Sequence, residues 1–308
     1  MNYETLLTSF ESSISVASQL IDFLYSDQKK SHEIEHKSEI DTIRIFLYHR
    51  IVLISKAAFG LLPNSDKEFF SLTAVGSLTR TLAESYRPFY YLTIEDIEDE
   101  ERNLRLLIFK AYELIECSNM GEALGGATRK PNIESELANI KQKIEENTFF
   151  KKLRKQTQTI YGSIYHSITD NREFSKVLRD KIVEKNGCYK DNETIYTERL
   201  IKSNAKSLPN EQKIKQRFKQ FFYKFFSNYV HSSAFCIAQE IQSNFKVNDE
   251  VGHFLKIIIS FEIFCLNIAI EDIFNLFPLA ANNSLVQEYK KSMEGMLLFI
   301  YHLTGNPD

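Results

Sequence analysis

Apolar residues recur along most of this chain at intervals of three and four, the spacing of one face of an α-helix. Ile43, Phe46, Leu47, Ile51 and Ile54 illustrate it, with Arg50 set among them. The pattern predicts long helices near residues 3–26, 33–60, 67–93, 95–119, 131–157, 210–245, 249–277 and 283–303. Breakers fall between these runs. Leu61-Leu-Pro-Asn-Ser-Asp66 ends one helix and offers Ser65 or Asp66 as the next N-cap. Gly121 to Pro131 reads as a loop, as does Pro278 to Ser284, with Ser284 a cap candidate. Pro88 lies inside a helical run and should kink that helix or end it a turn early. Residues 158–208 carry short apolar stretches, polar runs and an Asn186-Gly187 turn. They predict a loop-rich insertion with short helices, within one domain spanning 1–308. The expected fold class is all-α, a bundle of about eight long helices.

Composition agrees. Only 10 Gly and 6 Pro in 308 residues leave few helix breakers. The 24 Phe and 15 Tyr read as packing between helices rather than as a base-stacking surface. A net charge of −3 provides no whole-molecule positive field, so any contact with nucleic acid must use local patches. The cysteines Cys117, Cys188, Cys236 and Cys265 form no Cys-x-x-Cys pair, which fits reduced thiols in a cytoplasmic protein. Met1 to Leu7 has no basic region followed by an apolar run, so no signal peptide is expected. Lys256, Glu262, Glu271 and Asp272 interrupt the most apolar segment and argue against a membrane span.

Two polar features stand out against this background. Thr73, Ser77, Arg80, Glu84 and Arg87 fall on one face of the third predicted helix, amid apolar positions. Arg80 and Glu84 are an (i, i+4) pair, and Arg87 can reach back to Glu84. Such arginines fit an anion pocket with Glu84 orienting one of them, or a structural salt-bridge cluster between helices. The second feature is Phe225-Phe-Ser-Asn-Tyr-Val-His231-Ser-Ser233. Ser227 and His231 share a helical face with Tyr223, and His231 can serve as a general base near neutral pH or as a fixed core histidine. The preceding Lys213-Ile-Lys-Gln-Arg217-Phe-Lys-Gln-Phe-Phe-Tyr-Lys224 is basic and aromatic. It reads as an amphipathic helix with a solvated cationic face, or as a strip for single-stranded nucleic acid. Glu262, a lone carboxylate in an apolar run, is expected to pair with an arginine of the stripe.

The pairing of an Arg-x-x-x-Glu helix (Arg80, Glu84) with a later Tyr-x-x-x-Ser-x-Tyr-Val-His-Ser segment (Tyr223, Ser227, Tyr229, His231, Ser232) resembles a large family of uncharacterised bacterial helical proteins. Through it the chain resembles the HEPN superfamily, and the matched segments cover about a fifth of it. The resemblance implies a helical toxin or phage-defence protein that cuts RNA without a metal or other cofactor. It also implies a homodimer and an antitoxin or defence-system partner. His231, Arg80, Glu84 and Arg87 would carry the chemistry, with Ser227, Tyr223, Lys224 and Arg217 binding. The family's motif is Arg-x4–6-His, and here only Lys224 stands near the arginine position ahead of His231. A literal match, Arg44-Ile-Phe-Leu-Tyr-His49, occurs early in the chain and has Ile45 where a polar residue is expected.

Two further readings remain. One is a non-catalytic helical protein whose cluster binds a partner protein or a small anion. The other is a zinc hydrolase, because His32-Glu33-Ile-Glu-His36 fits His-Glu-x-x-His. That motif lies in a polar run with no third ligand at a familiar spacing, so a solvated helix start and no bound metal are expected. The chain has no Gly-rich phosphate loop, Gly-x-Ser-x-Gly elbow or dinucleotide fingerprint, which argues against those enzyme classes.

Overall fold

A computed structural model describes residues 2–31, 39–63, 69–123, 130–151, 192–203, 211–221, 234–278 and 283–304. The described residues are all-α, with no strand. The helices are α1 (Tyr3–Ser31), α2 (Glu39–Gly60), α3 (Leu72–Phe89), α4 (Asp99–Ala123), α5 (Lys130–Glu146), α6 (Asn192–Ser203), α7 (Glu211–Gln220), α8 (Ala234–Gln242), α9 (Asp249–Leu276) and α10 (Asn283–Thr304). A π-helical turn, Tyr90–Ile94, follows α3 directly. The chain divides into two compact units, 1–90 with 191–308, and 91–190.

The larger unit is built on α9. From Ile258 to Ile270 every residue of this helix is buried, because its sequence is apolar on nearly all sides. It packs against α1, α2, α3 and α10. Asn248 starts it, accepting from the Val251 N–H at 2.8 Å. The aromatic residues do pack between helices. Tyr196 of α6 stacks on Tyr86 of α3 and on Phe218 of α7, while Phe261 and Phe264 of α9 meet Phe299 of α10. Such ring pairs add about 0.5–1.5 kcal/mol each beyond the area they bury. Among the described residues, no helix is long and apolar enough to cross a membrane.

Some helix boundaries differ from expectation. The third helix begins at Leu72, and its N-cap is Ser71 rather than Ser65 or Asp66. The Ser71 hydroxyl accepts from the Ala74 N–H at 3.2 Å. As expected of Pro88, the α-helix ends a turn early, at Phe89 rather than near 93. Pro88 lacks the N–H that would bond the Glu84 carbonyl, and two residues later the helix widens into the π-turn.

The helix expected over 210–245 appears as α7 and α8, with residues 222–233 outside the described set. Helix α8 stops at Gln242 because Asn244 and Phe245 adopt left-handed φ of 52° and 56°. There the Phe245 N–H bonds Glu240 O at 2.9 Å and the Asn244 N–H bonds Ile241 O at 3.0 Å, a Schellman closure.

Within the segment read as an insertion, residues 192–203 form α6, whose Ile195, Tyr196 and Leu200 are core residues of the larger unit. Most of the remainder of 158–208 lies outside the described residues.

In the smaller unit α4 packs on α5. Arg105, buried, donates to Glu95 at 2.6 Å, Glu101 at 2.5 Å and Tyr91 O at 2.8 Å. Its guanidinium lies 4.0 Å from the centre of the Tyr91 ring. These contacts tie the exit of the π-turn to α4. Asn147 joins α5 to the start of α4, donating to Glu100 O at 3.0 Å.

Candidate functional site

Helix α3 has two polar faces with different fates. Its outer stripe is the one legible in the sequence. Arg80 Nε donates to Glu84 Oε1 at 2.8 Å, as the (i, i+4) spacing predicts. The side chain of Arg80 is 25% exposed and that of Glu84 54% exposed. Thr73, Ser77 and Arg87 are partly exposed beside them. Arg80 and Glu84 are therefore open to solvent, whereas Thr73 Oγ1 and Arg87 Nε of the same stripe are buried.

The inner face carries residues with no place in the sequence-level site. Thr79, fully buried, brings its Oγ1 to 2.5 Å from Glu262 Oε1 on α9. So Glu262 pairs with a threonine, not with an arginine of the stripe. Burial pushes its carboxyl up to about 8.

Two turns along α3, the Tyr86 hydroxyl donates to Asp272 Oδ2 at 2.6 Å, and Arg199 of α6 meets Asp272 Oδ1 at 2.5 Å and Glu271 Oε2 at 3.1 Å. Burial works against the Arg199 charge, but the neighbouring Tyr86, Asp272 and Glu271 raise its pKa above the usual arginine value. Tyr86 is raised well above the ordinary tyrosine range by burial and then by Asp272. Asp272 and Glu271 were visible in the sequence as charges inside an apolar helix. Their partner Arg199 was hidden in the segment read as an insertion.

Tyr196 joins the inner face to the cationic helix. Its hydroxyl donates to Ala83 O at 2.9 Å, the residue before Glu84. Its ring stacks on Phe218, the residue after Arg217, at 5.9 Å between centroids. Burial raises the Tyr196 hydroxyl well above its usual value, with Cys265, Tyr86 and Glu84 adding to the effect. On α7, Ile214 and Phe218 point into the core, Arg217 is partly exposed, and Lys213, Lys215 and Lys219 face solvent. A cationic helix thus stands one tyrosine away from the turn of α3 that holds Glu84.

His231, Ser227, Tyr223 and Lys224 lie outside the described residues, as do His32, Glu33 and His36. Among the described residues no group of His, Cys, Asp and Glu is arranged to hold a metal ion. The literal Arg-x4-His match is split. Arg44 bonds Asp41 at 2.8 Å, and His49 Nδ1 lies 3.0 Å from the Tyr25 hydroxyl. Five residues of helix set the two side chains about 140° apart.

Comparisons with protein-family models, curated proteins and solved structures return no significant match to this chain.

Proposed function

We propose that this all-helical protein is a HEPN-like toxin or phage-defence protein that cleaves RNA in the cytoplasm without a metal, acting as a homodimer. One observation carries the reading. The Arg80–Glu84 pair is accessible, and Tyr196 links its helix to α7, which carries Lys213 and Arg217 on one flank of its buried face and Lys215 and Lys219 on the other. A phosphate backbone needs such local cations in a chain of net negative charge.

In the proposed reaction His231 takes the 2′-hydroxyl proton, and the freed oxygen attacks the adjacent phosphorus. The 5′-oxygen leaves with a proton from water, giving a 2′,3′-cyclic phosphate and a 5′-hydroxyl. Arg80 and Arg87 stabilise the charged phosphorane, Glu84 holds the Arg80 fork, and Ser227 positions the imidazole. Tyr223, Lys224 and Arg217 hold the strand, with Lys224 in the role of the family's arginine.

The test is cleavage of single-stranded RNA in excess chelator by the full chain and by His231→Ala and Arg80→Ala. Each substitution is expected to lower the rate by at least about 100-fold with helicity unchanged. Unchanged cleavage in both overturns the reading. If no form cleaves RNA yet phosphate or RNA still binds in an Arg80-dependent way, the protein is a non-catalytic anion binder.

A further inference from the structure

Helix α2 is apolar on more sides than the fold uses. Its inner face, with Tyr48, Ile51 and Val52 fully buried, packs on α1, α3 and α9. The opposite face is also apolar. Phe46 is 65% exposed, Leu53 54% and Leu61 43%, with exposed Ala57 between the two leucines. Phe46, Leu53 and Ala57 recur at helical spacing over about 16 Å of axis, and Leu61 follows in the turn after Gly60. A helix with apolar residues on both faces needs cover on both, and among the described residues nothing covers this side.

From Phe46 onward the charges on this strip share one sign, the acidic Glu39 and Asp41 being confined to the first turn of α2. Arg50 and Lys56 are exposed on it, and neither has an ion-pair partner among the described residues. From Thr42 to Gly60 the chain contains no Asp or Glu, although the whole protein carries a net charge of −3. A second copy laid along this face would bring cation against cation, so the strip is poorly suited to self-pairing. Two cations are too few to track a phosphate backbone, and large side chains at helical spacing are typical anchors for a helix.

We infer that this face of α2 is a docking surface for an acidic amphipathic helix of a partner protein. Phe46, Leu53 and Leu61 take the partner's apolar side chains, and Arg50 and Lys56 meet its carboxylates. The inference is independent of RNA cleavage, which uses other residues.

The experiment titrates the full chain against a fluorescent helical peptide with leucines at i, i+4, i+7 and i+11 flanked by glutamates, and reads anisotropy. A lysine-for-glutamate peptide, anionic phosphatidylglycerol vesicles and single-stranded RNA run in parallel. The acidic peptide alone should bind. Phe46→Glu or Leu53→Glu should weaken it about tenfold or more, while Phe69→Ser, at an exposed aromatic elsewhere, leaves it unchanged. Arg50→Glu with Lys56→Glu should switch preference to the basic peptide. Because these side chains face solvent, circular dichroism of each variant should match the parent. Equal binding of both peptides, loss with Phe69→Ser, or Phe46-dependent binding of vesicles, RNA or a second copy overturns the inference.

Discussion

Thr79 Oγ1 lies 2.5 Å from Glu262 Oε1 and 2.8 Å from Val75 O, yet its hydroxyl has a single hydrogen. The count closes when Glu262 is protonated. The carboxylic acid then donates to Thr79, and Thr79 donates to the Val75 carbonyl. Glu262 Oε2 has no partner among the described residues and no solvent, which also favours the neutral acid.

A stability change with pH follows from that pair. The folded carboxyl titrates near 8 against a usual value of 4.5. A raised acid binds its proton more tightly in the folded state, so this contribution is lost as pH rises. Below about pH 4.5 both states are protonated and the group costs nothing. Between there and about pH 8 stability falls by about 1.4 kcal/mol per pH unit, and above that the slope levels. Glu262→Gln keeps a donor for Thr79 and should abolish this slope. Urea unfolding of both forms at pH 5, 6.5 and 8 measures it. Parallel curves for parent and variant would mean that Glu262 is ionised throughout.

The Arg199–Asp272 pair is sealed, so cutting it on one side is costly. Asp272→Ala leaves the buried guanidinium with Glu271 and the Ile268 carbonyl and should cost about 3–5 kcal/mol in denaturant unfolding. Tyr86→Phe removes one hydrogen bond to a charged group and should cost about 1.5–3 kcal/mol. The double variant should fall short of the sum, because both changes strip the same carboxylate.

At the start of α3 a carboxylate from α8 does the work of a cap. Glu240 Oε1 accepts from the Ser71 hydroxyl at 2.8 Å and from the Thr73 N–H at 3.0 Å. Its charge also sits at the positive end of the helix dipole. Glu240→Gln should lower stability by about 1 kcal/mol, and Ser71→Ala by a similar amount. A double-mutant cycle should reveal coupling of about 0.5 kcal/mol or more, whereas additive effects would mean two independent caps.

The outer pair on α3 should behave in the opposite way. Arg80 and Glu84 are partly exposed neighbours on one helix, so Arg80→Ala or Glu84→Ala should change stability by no more than about 0.5 kcal/mol. Loss of RNA cleavage in Arg80→Ala could then not be ascribed to unfolding. A drop of several kcal/mol would mark the pair as architectural.

Local periodicity and spacing made the helices and the Arg80–Glu84 bond legible, because both depend on residues three or four apart. That range also let Glu262 stand out as an odd charge in an apolar run. It did not reach Glu262's partner, 183 residues away, nor the union of Arg199 with Asp272. The outer stripe looked like the polar centre because its polar residues share a face. A helix that is apolar on several sides does not announce which side is covered.

From the chain alone came the all-α class, the long helical runs and the local ion pair on α3, since a helix is set by short-range backbone hydrogen bonds and side-chain period. The packed structure decided which faces are wet and that Asn192–Ser203 belongs to the core. It also joined Thr79 to Glu262 and Tyr86 to Asp272. Those are matters of which distant surfaces meet when apolar area leaves water, and contact across such distances in sequence is written in no local pattern.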